Sequence, residues 1–305
     1  MTQFSSRLAE RHARTVIGLI LVAAAVLSFF SLARADELSE KVWIHGSANC
    51  AENRDPPIET FQFEPDTYIL RQNKCANFEG PFIYLMFGEH TLFIQDTGAT
   101  ADPEQFPLYE TVRQLMRQRG AEKLKILVTH SHSHGDHVAA DAQFRGKPGA
   151  TLVEPTATAV REHFGFTSWP DGEATIDLGG RTLTVLPAPG HQDEALVVYD
   201  DRTRWLLTGD SVYPGRLYVR DWAAFRVSVR RMATFANTHP VAAVMGTHIE
   251  LARDGTQYAA GTTYQPNEAS LVLTPRDLED LDRLLQQAGA EPKQIATRRF
   301  IVWPK

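Results

Sequence analysis

The stretch Thr129-His130-Ser131-His132-Ser133-His134-Gly135-Asp136-His137 packs four metal-binding side chains into the pattern His132-x-His134-x-Asp136-His137. Near neutral pH each offers an imidazole nitrogen or a hard carboxylate oxygen. The preceding run, Leu124-Lys125-Ile126-Leu127-Val128-Thr129, is apolar and β-branched and predicts a buried strand. From Val138 to Phe144 the Ala, Gln and apolar spacing predict a helix. The cluster is thereby placed on a loop between a strand's C-terminal end and a helix N-terminus, where ligands gather in layered α/β folds. Residues two apart on an extended segment point to one side, so His132 and His134 can bind one ion together. Asp136 and His137, at the turn into the helix, can aim at a second. Taken alone, the loop has a plainer reading as a surface His-rich tract.

Four further stretches accompany it: Leu92-Phe93-Ile94-Gln95-Asp96-Thr97-Gly98, Pro189-Gly190-His191, Leu206-Leu207-Thr208-Gly209-Asp210 and Met245-Gly246-Thr247-His248. Singly, His191 reads as a surface residue, Asp210 as a turn residue and His248 as a strand end. In this order, from about Phe82 to His248, they resemble the metallo-β-lactamase superfamily of hydrolases. In most members the Thr that ends the strand directly precedes the first ligand His; here His130-Ser131 intervene. A register starting at His130 leaves Asp136-His137 too far along, so His130 is the additional residue. It is expected as a donor behind the ligands or a packed strand-end residue.

The resemblance implies an αββα sandwich of the α/β class. It also implies that His132, His134 and His191 bind one metal ion, that Asp136, His137 and His248 bind another, and that Asp210 bridges them. Asp136 would further act in catalysis by orienting a hydroxide. Asp96 would support the ligand loops without binding metal. A nitrogen and oxygen donor set without thiolate suits two Zn2+, with iron or manganese as alternatives. Two ions a few Å apart lower the pKa of a shared water and polarise a carbonyl. Tyr213, Arg216 and Tyr218 follow Asp210 closely and are candidates for substrate contact, competing with an ordinary packing role; Tyr264 is a weaker one.

The remainder of the chain sets the context. It has 305 residues, 43% of them hydrophobic and 22% charged, as in ordinary globular proteins. A net charge of −6 without a Lys/Arg block argues against a nucleic-acid partner and leaves a small-molecule substrate. Arg7, Arg11 and Arg14 precede an apolar run, Val16 to Leu32, and an Ala33-Arg34-Ala35 site. Residues 1–35 therefore read as an export signal cut after Ala35, giving a periplasmic or secreted domain of residues 36–305. The absence of a twin-Arg pair points to general secretion. The competing reading is an uncleaved membrane anchor. Cys50 and Cys75, the only cysteines, are expected to form a disulfide in such a compartment.

Periodicity predicts hairpins around Gly88-Glu89-His90, Gly179-Gly180 and Asp200-Asp201, a strand from Val241, and helices over 108–119, 157–164, 222–237 and 275–287. The leading functional reading is an exported dinuclear hydrolase acting on an ester, lactone or amide bond. A β-lactamase and a single-iron sulfur dioxygenase are the alternatives. The bridging Asp210 favours the hydrolase and lactonase branches, because lactamase branches generally carry Ser or Cys there. Export counts against thioesters of coenzyme A or glutathione, which are cytosolic.

Overall fold

The computed structural model describes residues 37–305; the segment read as an export signal lies outside them. The chain divides after Lys41. Of the first unit, residues 37–40 are helical; the second, Val42–Lys305, holds everything described below. Among the described residues no helix is long and apolar enough to cross a membrane.

Six strands in sequence order make the first sheet: β1 (Ile58–Glu64), β2 (Thr67–Gln72), β3 (Phe82–Phe87), β4 (Thr91–Gln95), β5 (Lys125–Thr129) and β6 (Ala150–Leu152). β1 to β4 pair antiparallel, and β4, β5 and β6 pair parallel. The second sheet starts with β7 (Ala174–Asp177), β8 (Thr182–Pro187), β9 (Leu196–Asp200) and β10 (Trp205–Gly209). The chain then leaves it for β11 (Arg216–Val219) and returns with β12 (Ala243–Gly246) and β13 (Val272–Leu273), giving the order β13-β12-β10-β9-β8-β7. β14 (Ile295–Ala296) and β15 (Ile301–Pro304) complete a small third sheet with β11. The helices are α1 (Leu108–Gln118), α2 (Gly135–Val138), α3 (Ala157–Phe164), α4 (Trp222–Thr238) and α5 (Pro275–Ala288).

The unbroken apolar run of β3 is explained by burial on both faces. Ile83, Leu85 and Phe87 join Leu70, Ile94 and Val128 in a core capped by Leu108, Val112, Leu115 and Met116, the apolar stripe of α1. From the alternate positions, the Tyr84 hydroxyl donates to Gly246 O at 2.5 Å and the Phe82 N–H to Thr247 O at 2.8 Å. These bonds join the first sheet to β12. A second core packs Leu186, Val197, Leu206 and Val244 against Phe225, Val229 and Met232 of α4 and Leu278, Leu281 and Leu285 of α5. The layers are thus helix, sheet, sheet, helix, the αββα sandwich expected. Thr274 and Asp277 form a capping box that starts α5 with Pro275 at its first turn.

Two local expectations change. Of the helix predicted over Val138–Phe144 only Val138 is α-helical, as the last residue of the one-turn α2, and a 3-10 turn follows at Asp141–Gln143. Here tertiary hydrogen bonds outcompete helical ones: Thr97 N–H donates to His137 O and Ala139 N–H to Gly98 O. The third sheet has no counterpart in the sequence reading. Its strands are two to four residues long, too short to show a period.

Arg181 stitches the sheets together. Fully buried, it donates to both carboxylate oxygens of Asp200 (2.8 and 2.6 Å), to Thr67 Oγ1 (3.0 Å) and to Asp66 O (2.9 Å). Burial pushes the Asp200 pKa up, but Arg181 and Thr203 hold it below the ordinary range. Arg181→Ala leaves that carboxylate buried without its counter-charge, so a loss of about 3–5 kcal/mol is expected in urea unfolding. A loss under roughly 1 kcal/mol, the size typical of an exposed pair, would count against it.

Candidate metal centre

Each candidate ligand sits where a strand of the sandwich ends. β5 delivers His132 and His134, α2 Asp136 and His137, β8 His191, β10 Asp210 and β12 His248. Two turns allow no side chain in place of glycine. A Cβ on Gly190 (φ 137°) would lie 2.4 Å from Phe225 Cα, and one on Gly209 (φ 53°) 2.5 Å from Ser131 Cβ. Both glycines let the β8 and β10 ends press against their neighbours beside the ligand loop.

The seven residues meet in two groups that share Asp210: His132, His134, His191 and Asp210; and Asp136, His137, Asp210 and His248. In the first, His132 Nε2, His134 Nδ1 and His191 Nε2 lie 2.9–3.2 Å from one another. Asp210 Oδ2 stands 3.8 Å from His132 and 3.7 Å from His191. In the second, His248 Nε2 is 3.3 Å from His137 Nε2, and Asp136 Oδ2 lies 3.3 Å and 3.1 Å from those nitrogens. Asp210 Oδ1 is 3.6 Å from His137 and 3.5 Å from His248. Donor atoms about 3.3 Å apart are what a tetrahedral ion with metal–nitrogen bonds of about 2.0–2.1 Å requires. The residues therefore fit two cations.

The outer ring nitrogens assign the tautomers. His137 Nδ1–H donates to Asp96 Oδ2 (3.0 Å), and His132 Nδ1–H to Ser131 Oγ (3.1 Å), which donates on to Asp96 Oδ2 (2.9 Å). His191 Nδ1–H donates to Tyr218 O (2.7 Å) and His248 Nδ1–H to Glu79 O (3.4 Å). Each of these rings therefore turns Nε2 inward, as the atom left to bind a cation once it is free of a proton. His134 is reversed: Nδ1 faces the group and Nε2 meets the Gln192 amide. Asp96, buried and left-handed (φ 72°), also accepts from the Ser131 N–H at 2.6 Å. It lies behind the ligand rings, on the outer nitrogen of His137 and, through Ser131, of His132. His130 stands outside the cluster: its Nε2–H donates to Asp141 Oδ1 (2.8 Å), which also accepts from Thr97.

Electrostatics differ between the two groups. Burial, reinforced by neighbouring imidazoles, holds His132 well below the ordinary imidazole pKa, and His134 is lowered for the same reason. Burial acts the same way on His137 and His248, but Asp210 and the other carboxylates outweigh it. His137 is raised well above its ordinary value and His248 to about 9. Asp210 is kept ionised: burial pushes its pKa up, and His248, His137 and His132 bring it well below the carboxylate range.

A cleft of about 210 Å³ opens over His134, Asp136, His191, Asp210 and His248. Tyr213, Arg216 and Tyr218 line it. Arg216 spends its guanidinium on Gln257, Tyr258 O and Glu250, and the Tyr213 hydroxyl donates to Arg216 O. These two shape the cleft, while Tyr218 is half-buried beside it and holds His191 through its carbonyl. Lys74, Phe78, Glu79 and Glu250 also line the cleft. None had a sequence signal, because each arrives from a loop without a motif. Ser131 was readable only as a neighbour of His132.

With this sandwich and paired His/Asp site goes a class, the metal-dependent hydrolases. The chain belongs to the metallo-β-lactamase superfamily, whose family model matches residues 76–282. It is 29% identical over 128 residues to the hydroxyacylglutathione hydrolase of Rhizobium meliloti, covering 40% of this chain and 47% of that protein. With the hydroxyacylglutathione hydrolase of Rhizobium etli it shares 27% over 144 residues, 45% of this chain and 54% of that protein. The chain thus spans about half the length of the curated relatives it matches. Its fold is similar to the solved structure of TMB-1 (16% identical, TM-score 0.51, 77% of this chain and 99% of that one). It is also similar to that of DIM-1 metallo-β-lactamase exposed to ceftazidime (16% identical, TM-score 0.50, 78% and 100%).

Proposed function

We propose that the protein is an exported dinuclear hydrolase that opens an ester, lactone or amide bond of a small molecule. The observation that carries this is Asp210, whose two oxygens each face one group of nitrogens. Two cations, Zn2+ on donor chemistry, would supply Lewis acidity that ionises a water near neutral pH and polarises a carbonyl. The protein does the rest. His132, His134 and His191 would hold one cation and His137, His248 and Asp136 the other, with Asp210 offering one oxygen to each group. Asp136, on the cleft and acceptor-only when ionised, orients the attacking water. Hydrolysis of aryl esters, lactones and β-lactams by metal-loaded protein tests this. Turnover of β-lactams alone would favour the lactamase alternative, and one bound iron with thiol oxidation the dioxygenase.

A second reading has its own support. The curated relatives are hydroxyacylglutathione hydrolases, so a hydroxyacylglutathione thioester belongs in the same screen. Export separates the two compartments involved. It is supported by the basic, apolar and Ala-x-Ala sequence of residues 1–35 and by the Cys50–Cys75 disulfide. Mass spectrometry of fractionated cells should find a mature chain starting at Asp36; an intact N-terminus at the membrane would instead identify an anchor.

The two cations should load differently with pH. Metal binding needs neutral imidazole. Below their raised pKa values His137 and His248 carry protons that a cation must displace, whereas His132 and His134 are already neutral at pH 7. On Zn2+ titration at pH 7 the step that fills the His137/His248 group should release about one or two protons more than the step that fills the His132/His134 group. The second occupancy, and turnover with it, should be lost first on acidification. Calorimetry in buffers of different ionisation enthalpy reads this, and equal release at both steps would refute it.

A further inference from the structure

Cys50 and Cys75 form a disulfide with Cα atoms 5.3 Å apart, at a point where two walls of the cleft come within reach of one segment. Residues 73–80 connect β2 to β3 and bring Lys74, Phe78 and Glu79 to the cleft. The turn is held from inside: buried Lys74 donates through Nζ to Phe78 O and Glu79 O, and the Glu79 N–H donates to Asn77 Oδ1. Near its end, Glu79 holds His248 through its carbonyl. Phe78 remains 43% exposed at the cleft, an apolar surface kept in place without a partner to bury it.

Residues 45–50 run along a different wall. Ser47 N–H donates to Thr263 O (3.0 Å), Thr263 Oγ1 to Ser47 O (3.1 Å) and Gln265 N–H to His45 O (3.0 Å), while Gly46 bridges Tyr264. The adjoining Ala259 to Thr262, with Gln265, line the cleft. The disulfide therefore couples the Phe78 wall to the 259–265 wall through residues 45–50. Neither of the two hydrophobic cores takes a residue from 45–53 or 73–80.

We propose that the Cys50–Cys75 bond is a positioning element of the active site, holding two walls of the substrate cleft in register. Phe78 is the apolar face those walls present to an alkyl or aryl group of the substrate. This rests on the hydrolase reading for its kinetic consequence only.

The test compares wild type, Cys50→Ser/Cys75→Ser and a control, Thr274→Ala, which weakens the α5 cap away from both walls. Hydrogen exchange by mass spectrometry, and kinetics on an aryl ester at saturating Zn2+, are read for all three. In the double variant, exchange should quicken at residues 73–80 and 259–265 and stay unchanged in the sheets. KM should rise about tenfold with kcat within about threefold, the signature of lost substrate binding. Thr274→Ala should lower the melting temperature and move neither readout. Wild-type exchange in the walls, an unchanged KM, loosening that spreads into the sheets, or a double variant that does not fold would each overturn the proposal. Absence of turnover in wild type would instead mark failure of the hydrolase reading, and the exchange result would then decide alone.

Discussion

Asp210→Ala is expected to lower turnover by about three orders of magnitude and to leave the second cation weakly held. The reason is the position of the carboxylate. Oδ2 faces His132 and His191, and Oδ1 faces His137 and His248, all between 3.5 and 3.8 Å. Alanine deletes one donor from each group together with the buried negative charge that offsets two cations. The first group keeps three nitrogens, enough to hold an ion. The second keeps Asp136, His137 and His248 but loses the bridge that sets its distance from the first. Metal content and turnover should be measured on the same preparation. Two retained cations with near-normal turnover would make Asp210 a turn residue, bonded to Thr247 and without a part in the reaction.

Removal of metal by exhaustive chelation should abolish turnover, a fall of about 10⁴-fold or more, while the protein stays folded. Retention of the fold follows from where the stability lies. Leu85, Ile94 and Val128 pack under α1, and Val197, Leu206 and Val244 under α4 and α5, independently of the cluster. Without cations His137 still pairs with the supporting carboxylate of Asp96, and His248 with Asp136. The melting temperature should fall modestly, because a ligand that binds only the folded state stabilises it by mass action. Zn2+ should restore turnover, and restoration by iron alone would select the dioxygenase alternative. Activity that survives chelation with no bound metal, or a chelated protein that unfolds, would contradict this account.

Much of this molecule is legible in its residues. The hairpin around Gly88-Glu89-His90, the α1 stripe of Leu108, Val112, Leu115 and Met116, and the apolar face of α5 were readable because period and turn chemistry are local properties. The His132-to-His137 loop was readable for its residue types, and the later His191, Asp210 and His248 through their order. The broken helix after His137 was not, because Thr97 and Gly98, distant in sequence, claim its backbone groups. Nor was the third sheet, since β11 and β15 are neighbours only after the chain has folded.

Residue type and periodicity are written within a few positions, so the side chains available for chemistry and the strands that carry them can be read from the chain alone. The division of seven side chains into two groups around Asp210 was already implied by the resemblance; what folding added is which nitrogen each imidazole turns inward, and that Glu79 O and Tyr218 O hold two of them. Those outcomes depend on the packing of strand ends from both sheets, where distances of a few Å are set by contacts between residues far apart in the chain.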